Sequence, residues 1–210
     1  ACGRRDHLRG DAADRPERPS DHALHYAARR RGTLIHALLE HLPKVPPDQQ
    51  SATGVRWLAA KAADLDETTR ETLVVETLAL MARPELAPLF GPKARAECPI
   101  SGSVTLSNGE RRMVSGQIDR LVIEDRRVIL ADFKTSMFPP KSVDEIPPKT
   151  VLQLALYAEL MRKAAPGAAI SCVVVYTTAQ KVFEIEGAAL AKALGTIASG
   201  PSLDAGDLHS

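Results

Sequence analysis

Apolar residues recur at helical spacing through the first part of the chain and at strand spacing, or without interruption, through the middle. In "DHALHYAARRRGTLIHALLEHLP" the residues Leu34, Ile35, Leu38, Leu39 and Leu42 fall on one helical face. This predicts a helix that starts behind a cap at Ser20 or Asp21 and stops at Pro43 and the "PKVPPD" stretch. Residues 48–63 and 67–82 predict two more helices, marked by Val55, Leu58 and Ala62 on the first and by Leu73, Val74, Thr77, Leu78 and Met81 on the second. "RPELAPLFGP" reads as a short helical turn closed by Gly91-Pro92. The pattern then changes to segments rich in Val, Ile and Thr and broken by turn signals. They predict three antiparallel strands near 95–107, 111–123 and 127–134, with a strong hairpin turn at Asn108-Gly109 and a weaker one at Glu124-Asp125. "PPKSVDEIPP" predicts a loop and 149–165 a helix. "AISCVVVYTT" has the continuous apolar character of a buried central strand, "KVFEIE" predicts a short strand, and 187–198 a last helix.

This order predicts an α/β architecture: a mixed central sheet flanked by helices, preceded by an N-terminal helical lobe. The expected organisation is a flexible arm or linker over 1–20, a helical lobe over 21–92, a core over 93–198 and a tail over 199–210. Composition narrows the class. A chain of 210 residues with 44% hydrophobic content can bury one core, and a net charge of +1 advertises no broad nucleic-acid footprint, so any basic surface is local. Cys2, Cys98 and Cys172 are too few and too far apart for a disulfide framework or a zinc site, and predict reduced thiols in a cytosolic protein. No apolar run approaches the ~20 residues of a membrane span, and the charged N-terminus does not read as a signal peptide. A first residue Ala1 reads as a fragment of something longer.

The chemistry is concentrated in "GQIDRLVIEDRRVILADFKT" (116–135), where strands built for burial carry Asp119, Asp132 and Lys134. Asp132 and Lys134 share a strand face, with Phe133 on the other. A hairpin centred between Glu124 and Asp125 pairs positions summing to about 249, which sets Asp119 opposite residue 130 and one short pleat from Asp132. Two carboxylates converging with a lysine suit a Mg²⁺ or Mn²⁺ ion and a phosphoryl substrate. The same residues read equally as a cross-strand ion pair on a wet sheet face.

The ordered motifs decide between these readings. His36 in "GTLIHALLEHLP", Asp119 in "GQIDRL", Asp132 and Lys134 in "DFKT", and Gln153 and Tyr157 in "QLALY" together resemble the motif series of the PD-(D/E)XK nuclease superfamily. More narrowly they resemble its RecB-like nuclease domains, over about residues 29–180. Within these, "RRGTLIHALLEHLP" and "FGPKARAECPISG" are most similar to the C-terminal nuclease domains of AddA-type subunits of alphaproteobacterial break-repair helicase–nucleases. The resemblance implies a restriction-endonuclease-like core and a Mg²⁺-dependent DNA exonuclease, with Mn²⁺ able to substitute. It also implies a bacterial cytoplasmic setting, a single DNA strand delivered by a helicase motor, an AddB-type partner subunit and no membrane. The four-cysteine pattern of relatives that carry an iron–sulfur cluster is absent, so no cluster is expected, and the chain has no G-x-x-x-x-G-K-[ST] motor loop. A free-standing nuclease of a mobile element and a non-catalytic DNA- or partner-binding domain of the same fold are the alternatives.

By this resemblance Asp119 and Asp132 are metal carboxylates, His36 is a neutral imidazole ligand, and the backbone carbonyl of Phe133 adds an oxygen. Lys134 orients the attacking water and supports the transition state, in a direct in-line hydrolysis without a covalent intermediate. Gln153 and Tyr157 share a helix face beside the site and contact substrate or brace the lysine. Glu97, ahead of the body of the first strand, holds a second metal or is a bystander. Arg29, Arg30 and Arg31 grip the nucleic-acid backbone or form a solvated helix face, and Arg120 pairs with a carboxylate or a phosphate. Thr135 and Ser136 donate to a phosphate. Trp57 packs between helices, and no aromatic platform for base stacking is evident.

Overall fold

The computed structural model describes residues 21–136 and 138–198; the expected arm, its cap at Ser20, Cys2 and the tail lie outside the described residues. The N-terminal helices are α1 (Asp21–His41), α2 (Gln50–Lys61), α3 (Glu67–Met81) and the single turn α4 (Ala87–Phe90). Pro43 and the following prolines end α1, as expected from a ring that cannot continue the hydrogen-bond ladder. Asp66 caps α3, its carboxylate accepting from the Thr69 N–H at 2.8 Å.

Five strands follow in one sheet: β1 (Ala94–Thr105), β2 (Arg111–Glu124), β3 (Arg127–Lys134), β4 (Ala169–Tyr176) and β5 (Lys181–Ile185), ordered as in the chain. All neighbours are antiparallel except β3 and β4, which are parallel and joined by the helix α5 (Pro148–Ala164). The sheet is therefore mixed, as expected. The Asn108-Gly109 turn also forms where expected, with Gly109 at φ 83°, a conformation that glycine adopts without a side-chain clash.

Both faces of the sheet are covered, which is why β3 is buried at nearly every position. On one face α5 and α6 (Gly187–Ala198) pack over Ile118, Leu121, Val128, Leu130 and Val174. On the other, Leu34, Ile35, Leu38 and Leu39 of α1 and Leu73 and Val74 of α3 share a core with Val122, Ile129, Ala131, Phe133 and Val175. The segment expected as a helical lobe is thus one outer layer of the sheet, and this layer carries His36 to the strand ends.

The second hairpin departs from its expected centre. β2 runs one residue further and the turn is Asp125-Arg126, so pairs such as Leu121↔Leu130 and Arg120↔Ala131 sum to 251 rather than 249. Continued by one step, this register sets Asp119 across from Asp132 instead of residue 130. The backbone pairing stops first, however. The last β2–β3 pair is Arg120↔Ala131, while β3 stays paired with β4 as far as Lys134↔Tyr176. The sheet parts between β2 and β3 at Asp119.

Candidate active site

A strand can leave its neighbour at little cost only if the released backbone groups find other partners. Here Asp119 supplies one: its Oδ2 accepts the Phe133 N–H at 2.7 Å, so a carboxylate replaces the missing ladder carbonyl. The same oxygen lies 3.9 Å from His36 Nδ1. His36 arrives from α1 and sets its ring edge-on to Phe133, with centroids 6.0 Å apart.

The approach of α1 depends on Gly32, since a methyl group there would overlap the Thr135 hydroxyl. Gly116 has a parallel function on the other side, where a methyl would overlap the Tyr157 hydroxyl. The glycine of "GQID" therefore makes room for the tyrosine of "QLALY".

Glu97 lies inside β1 rather than ahead of it. The pairs Ala96↔Arg120 and Cys98↔Ile118 flank it, which sets it across from Asp119. Its φ of 50° is unusual for a residue with a side chain. Its Oε2 accepts from Gln117 Nε2 at 2.8 Å, and Gln117 also reaches the Glu97 carbonyl at 3.3 Å. Ligand atoms of His36, Glu97 and Asp119 all lie within 4.8 Å of one another. Among the described residues this is the group that could hold a metal ion, and it includes the glutamate whose part the sequence left open.

Asp132, expected as a second metal carboxylate, is not part of that group of three and is only 5% exposed. The Lys134 ammonium donates to its Oδ1 at 3.1 Å and stands 3.0 Å from Oδ2, yet Oδ2 is buried without a hydrogen bond. Burial pushes the Asp132 carboxyl up to about 6; the lysine opposes that rise and the Asp119 charge adds to it. Burial also raises the carboxyls of Asp119 and Glu97, the latter helped by the charges of Asp119 and Glu40. Burial lowers the His36 imidazole, against the pull of Asp132, which favours the neutral, ligating form. Crowded carboxyl groups held above their ordinary range and a neutral imidazole form a donor set that a divalent cation satisfies. The Phe133 backbone beside the imidazole also opposes that lowering. The residues thus fit the metal that the motif series implies.

The site opens on two clefts of about 720 Å³ each, which meet at Thr135. One is lined by Arg29, His36, Glu40, Glu97 and Gln117, and the other by Lys134, Ser136, Phe138, Lys141, Lys149 and Gln153. Gln153 donates to the Tyr157 hydroxyl at 3.3 Å. Tyr157 itself is buried against Gly116, so of this pair Gln153 faces the cleft while Tyr157 holds it from behind.

The arginines separate. Arg29 lines the His36 cleft. Arg30 is bound by both of its terminal nitrogens to Asp64, and Arg31 is paired with Glu76, which ties α1 to the loop before α3 and to α3 itself. Arg120, 3% exposed, donates to the Leu39 carbonyl and stacks over Phe90, in the layer between helices and sheet. These three are engaged with protein rather than presented on the two clefts. Trp57 packs edge-on to His41.

Gln117, Glu40, Gly32, Gly116 and Phe138 were missed by sequence reasoning. Period two from Asp119 marks Gln117, and one helical turn from His36 marks Glu40. The glycine contacts and the exposed Phe138 have no local signal.

No curated protein matches the chain. Among solved structures it is similar to one described as "Crystal structure of SSO0001", at 14% identity over 85% of this chain and 87% of that one. The TM-score of 0.34 gives that likeness no weight. No described helix is long and apolar enough to cross a membrane. The sequence profile of the PD-(D/E)XK nuclease superfamily matches residues 2–199. The mixed five-stranded sheet with helices on both faces is consistent with the restriction-endonuclease-like fold of that superfamily. A match of this extent, over a sheet that parts at Asp119 beside His36 and Glu97, means that the chain belongs to the PD-(D/E)XK nuclease superfamily.

Proposed function

We propose that this protein is a divalent-metal-dependent deoxyribonuclease that hydrolyses phosphodiester bonds from the end of a single strand. In this reading it is the nuclease module of an AddAB-type helicase–nuclease of bacterial double-strand break repair, fed by a motor and joined to an AddB-type subunit in the cytoplasm. The observation that supports the chemistry is the parting of β2 and β3, which gathers His36, Glu97 and Asp119 where the strands separate, with His36 and Glu97 on the wall of one cleft and Lys134, paired with Asp132, on the wall of the other. The narrower AddAB assignment rests on "RRGTLIHALLEHLP" and "FGPKARAECPISG".

His36, Asp119, Asp132 and the Phe133 carbonyl would hold Mg²⁺ or Mn²⁺, with Glu97 completing the shell. Such an ion supplies positive charge to the phosphoryl oxygens and makes water a usable nucleophile at neutral pH. The protein's own groups do the rest. Asp132 holds the Lys134 ammonium at the cleft wall, where its charge meets the oxygen that gains negative charge in the transition state. Neutral His36 leaves a ring nitrogen free to ligate. Gln153, anchored by Tyr157, and Thr135, at the junction of the clefts, offer hydrogen bonds to the scissile phosphate. Arg29 offers a charge to the strand beyond it.

The test is digestion of end-labelled linear and circular single-stranded DNA in Mg²⁺ or Mn²⁺, by wild type and Lys134→Ala. The expected result is metal-dependent degradation of the linear strand, resistance of the circle, and loss of about 10²–10³ in rate in the variant, as for removal of one transition-state stabiliser. Cutting of the circle would replace the exonuclease with an endonuclease. An undiminished rate in Lys134→Ala would remove this cleft from the chemistry.

A further inference from the structure

The two clefts that meet at Thr135 differ in character. The His36 side is acidic, with Glu40 and Glu97 on its wall. The other side carries Lys134, Lys141 and Lys149 against the single acid Glu145, and at its rim stands Phe138. Its ring is 92% exposed, the most exposed large hydrophobic side chain among the described residues. A phenyl group left in water forfeits the free energy of its burial.

From Phe138 to Lys141 the described backbone is anchored. The Phe138 N–H donates to Ser136 Oγ at 3.1 Å, the Pro140 carbonyl accepts from Lys181 Nζ at 2.9 Å, and the Lys141 N–H donates to Glu145 Oε2 at 2.8 Å. An exposed aromatic ring on an anchored loop, over a cleft with excess positive charge that leads to the reacting centre, is the chemistry that single-stranded nucleic acid requires. Cations follow the phosphates and a ring face takes an unstacked base. A duplex keeps its bases stacked on one another and offers this ring none.

We infer that Phe138 is a base-stacking platform, and that the cleft between it and Lys134 holds single-stranded DNA on one side of the scissile phosphate. This rests on the nuclease reading and adds to it the means by which a single strand is preferred. It also amends the expectation that the chain lacks an aromatic platform.

Binding without cleavage tests it. Anisotropy of a labelled oligothymidylate about 12 nucleotides long, within the range of strand lengths that such grooves cover, is read in EDTA for wild type, Phe138→Ala and Phe138→Trp. Loss of one base–aromatic stack predicts binding about tenfold weaker in Phe138→Ala. Phe138→Trp retains affinity, and its added fluorescence, above the background of Trp57, is quenched by the oligonucleotide. Affinity for a blunt duplex is the same in all three. Equal single-strand affinity of wild type and Phe138→Ala, or an unquenched tryptophan at 138, overturns the inference and leaves the ring to a protein contact. Cleavage by wild type in Mg²⁺, measured alongside, separates the two claims. A protein that cleaves but is indifferent to Phe138 defeats the platform alone, and one that neither binds nor cleaves defeats both.

Discussion

The two ends of the β2–β3 hairpin have the same strands, the same connection and opposite outcomes. Near the turn, from Glu124↔Arg127 to Arg120↔Ala131, the ladder is complete and Val122, Val128 and Leu130 are buried. Beyond Ala131 the strands part, and the Phe133 N–H goes to a carboxylate instead of a carbonyl. The closed end gains stability from burial with every backbone pair made. The open end gathers carboxyl groups whose burial disfavours their charged forms. One side chain, Asp119, separates the two regimes, because it satisfies the backbone group that the parting would otherwise orphan. The molecule thus keeps an electrostatic deficit at one end of a hairpin, with the other end to stabilise it.

The sharpest way to break this contrast is Asp119→Asn. It should abolish tight Mn²⁺ binding in calorimetry and lower cleavage by about 10³-fold, roughly 4 kcal/mol of transition-state stabilisation. Unchanged metal binding would show that the parting of the strands serves something other than a cation. The counterpart at the closed end is Leu130→Ala, which should cost about 2–5 kcal/mol in chemical denaturation while the folded protein keeps its Mn²⁺ affinity. Equal damage to affinity would mean that the two ends are not separable.

A third test concerns pH. The Asp132 carboxyl is raised from 3.8 to about 6 in the folded protein. Between these values the native state binds more protons than the unfolded chain, so stability is greatest below pH 4 with respect to this group and is lost as pH rises to 6. The loss is on the order of 2–3 kcal/mol. In EDTA the unfolding midpoint should fall over that window, Asp132→Asn should flatten the slope, and Mn²⁺ at pH 7 should restore stability to wild type only. A stability that rose with pH in wild type and fell in the variant would reverse the assignment. The smallest effect concerns the arginines. Arg29→Ala should reduce the salt slope of single-strand binding by about 1, whereas Arg30→Ala, whose partner is Asp64, should leave it unchanged.

The elements themselves were legible because periodicity is local. Leu34, Leu38 and Leu39 mark a helix, the run around Val173 marks a buried strand, and each forms where the pattern puts it. The hairpin was legible in kind but not in register. Glu124-Asp125 and Asp125-Arg126 are equally polar two-residue turns, and the choice moves every pair by two. Packing of Leu121 and Val122 on opposite layers is consistent with either, since a shift of two preserves the face. Among the candidate site residues, His36 lies 3.9 Å from Asp119, and Lys134 pairs with Asp132. Arg30, Arg31 and Arg120 are drawn instead to Asp64, Glu76 and the Leu39 carbonyl, partners 34, 45 and 81 residues away that no local pattern announces.

The backbone geometry of single elements was sufficient to place Asp132 and Lys134 on one strand face, and to place Gln153 and Tyr157 one helical turn apart, because periods of two and 3.6 hold wherever those elements form. The tertiary fold decided what lies across from them. Glu97 meets Asp119 because β1 pairs with β2 in one particular register, and α1 reaches Thr135 because Gly32 has no side chain to hold it off. The same packing engages Tyr157 behind Gly116 and leaves Phe138 in water. These are contacts between distant segments, and which of the many possible ones is made depends on burying both faces of the sheet at once.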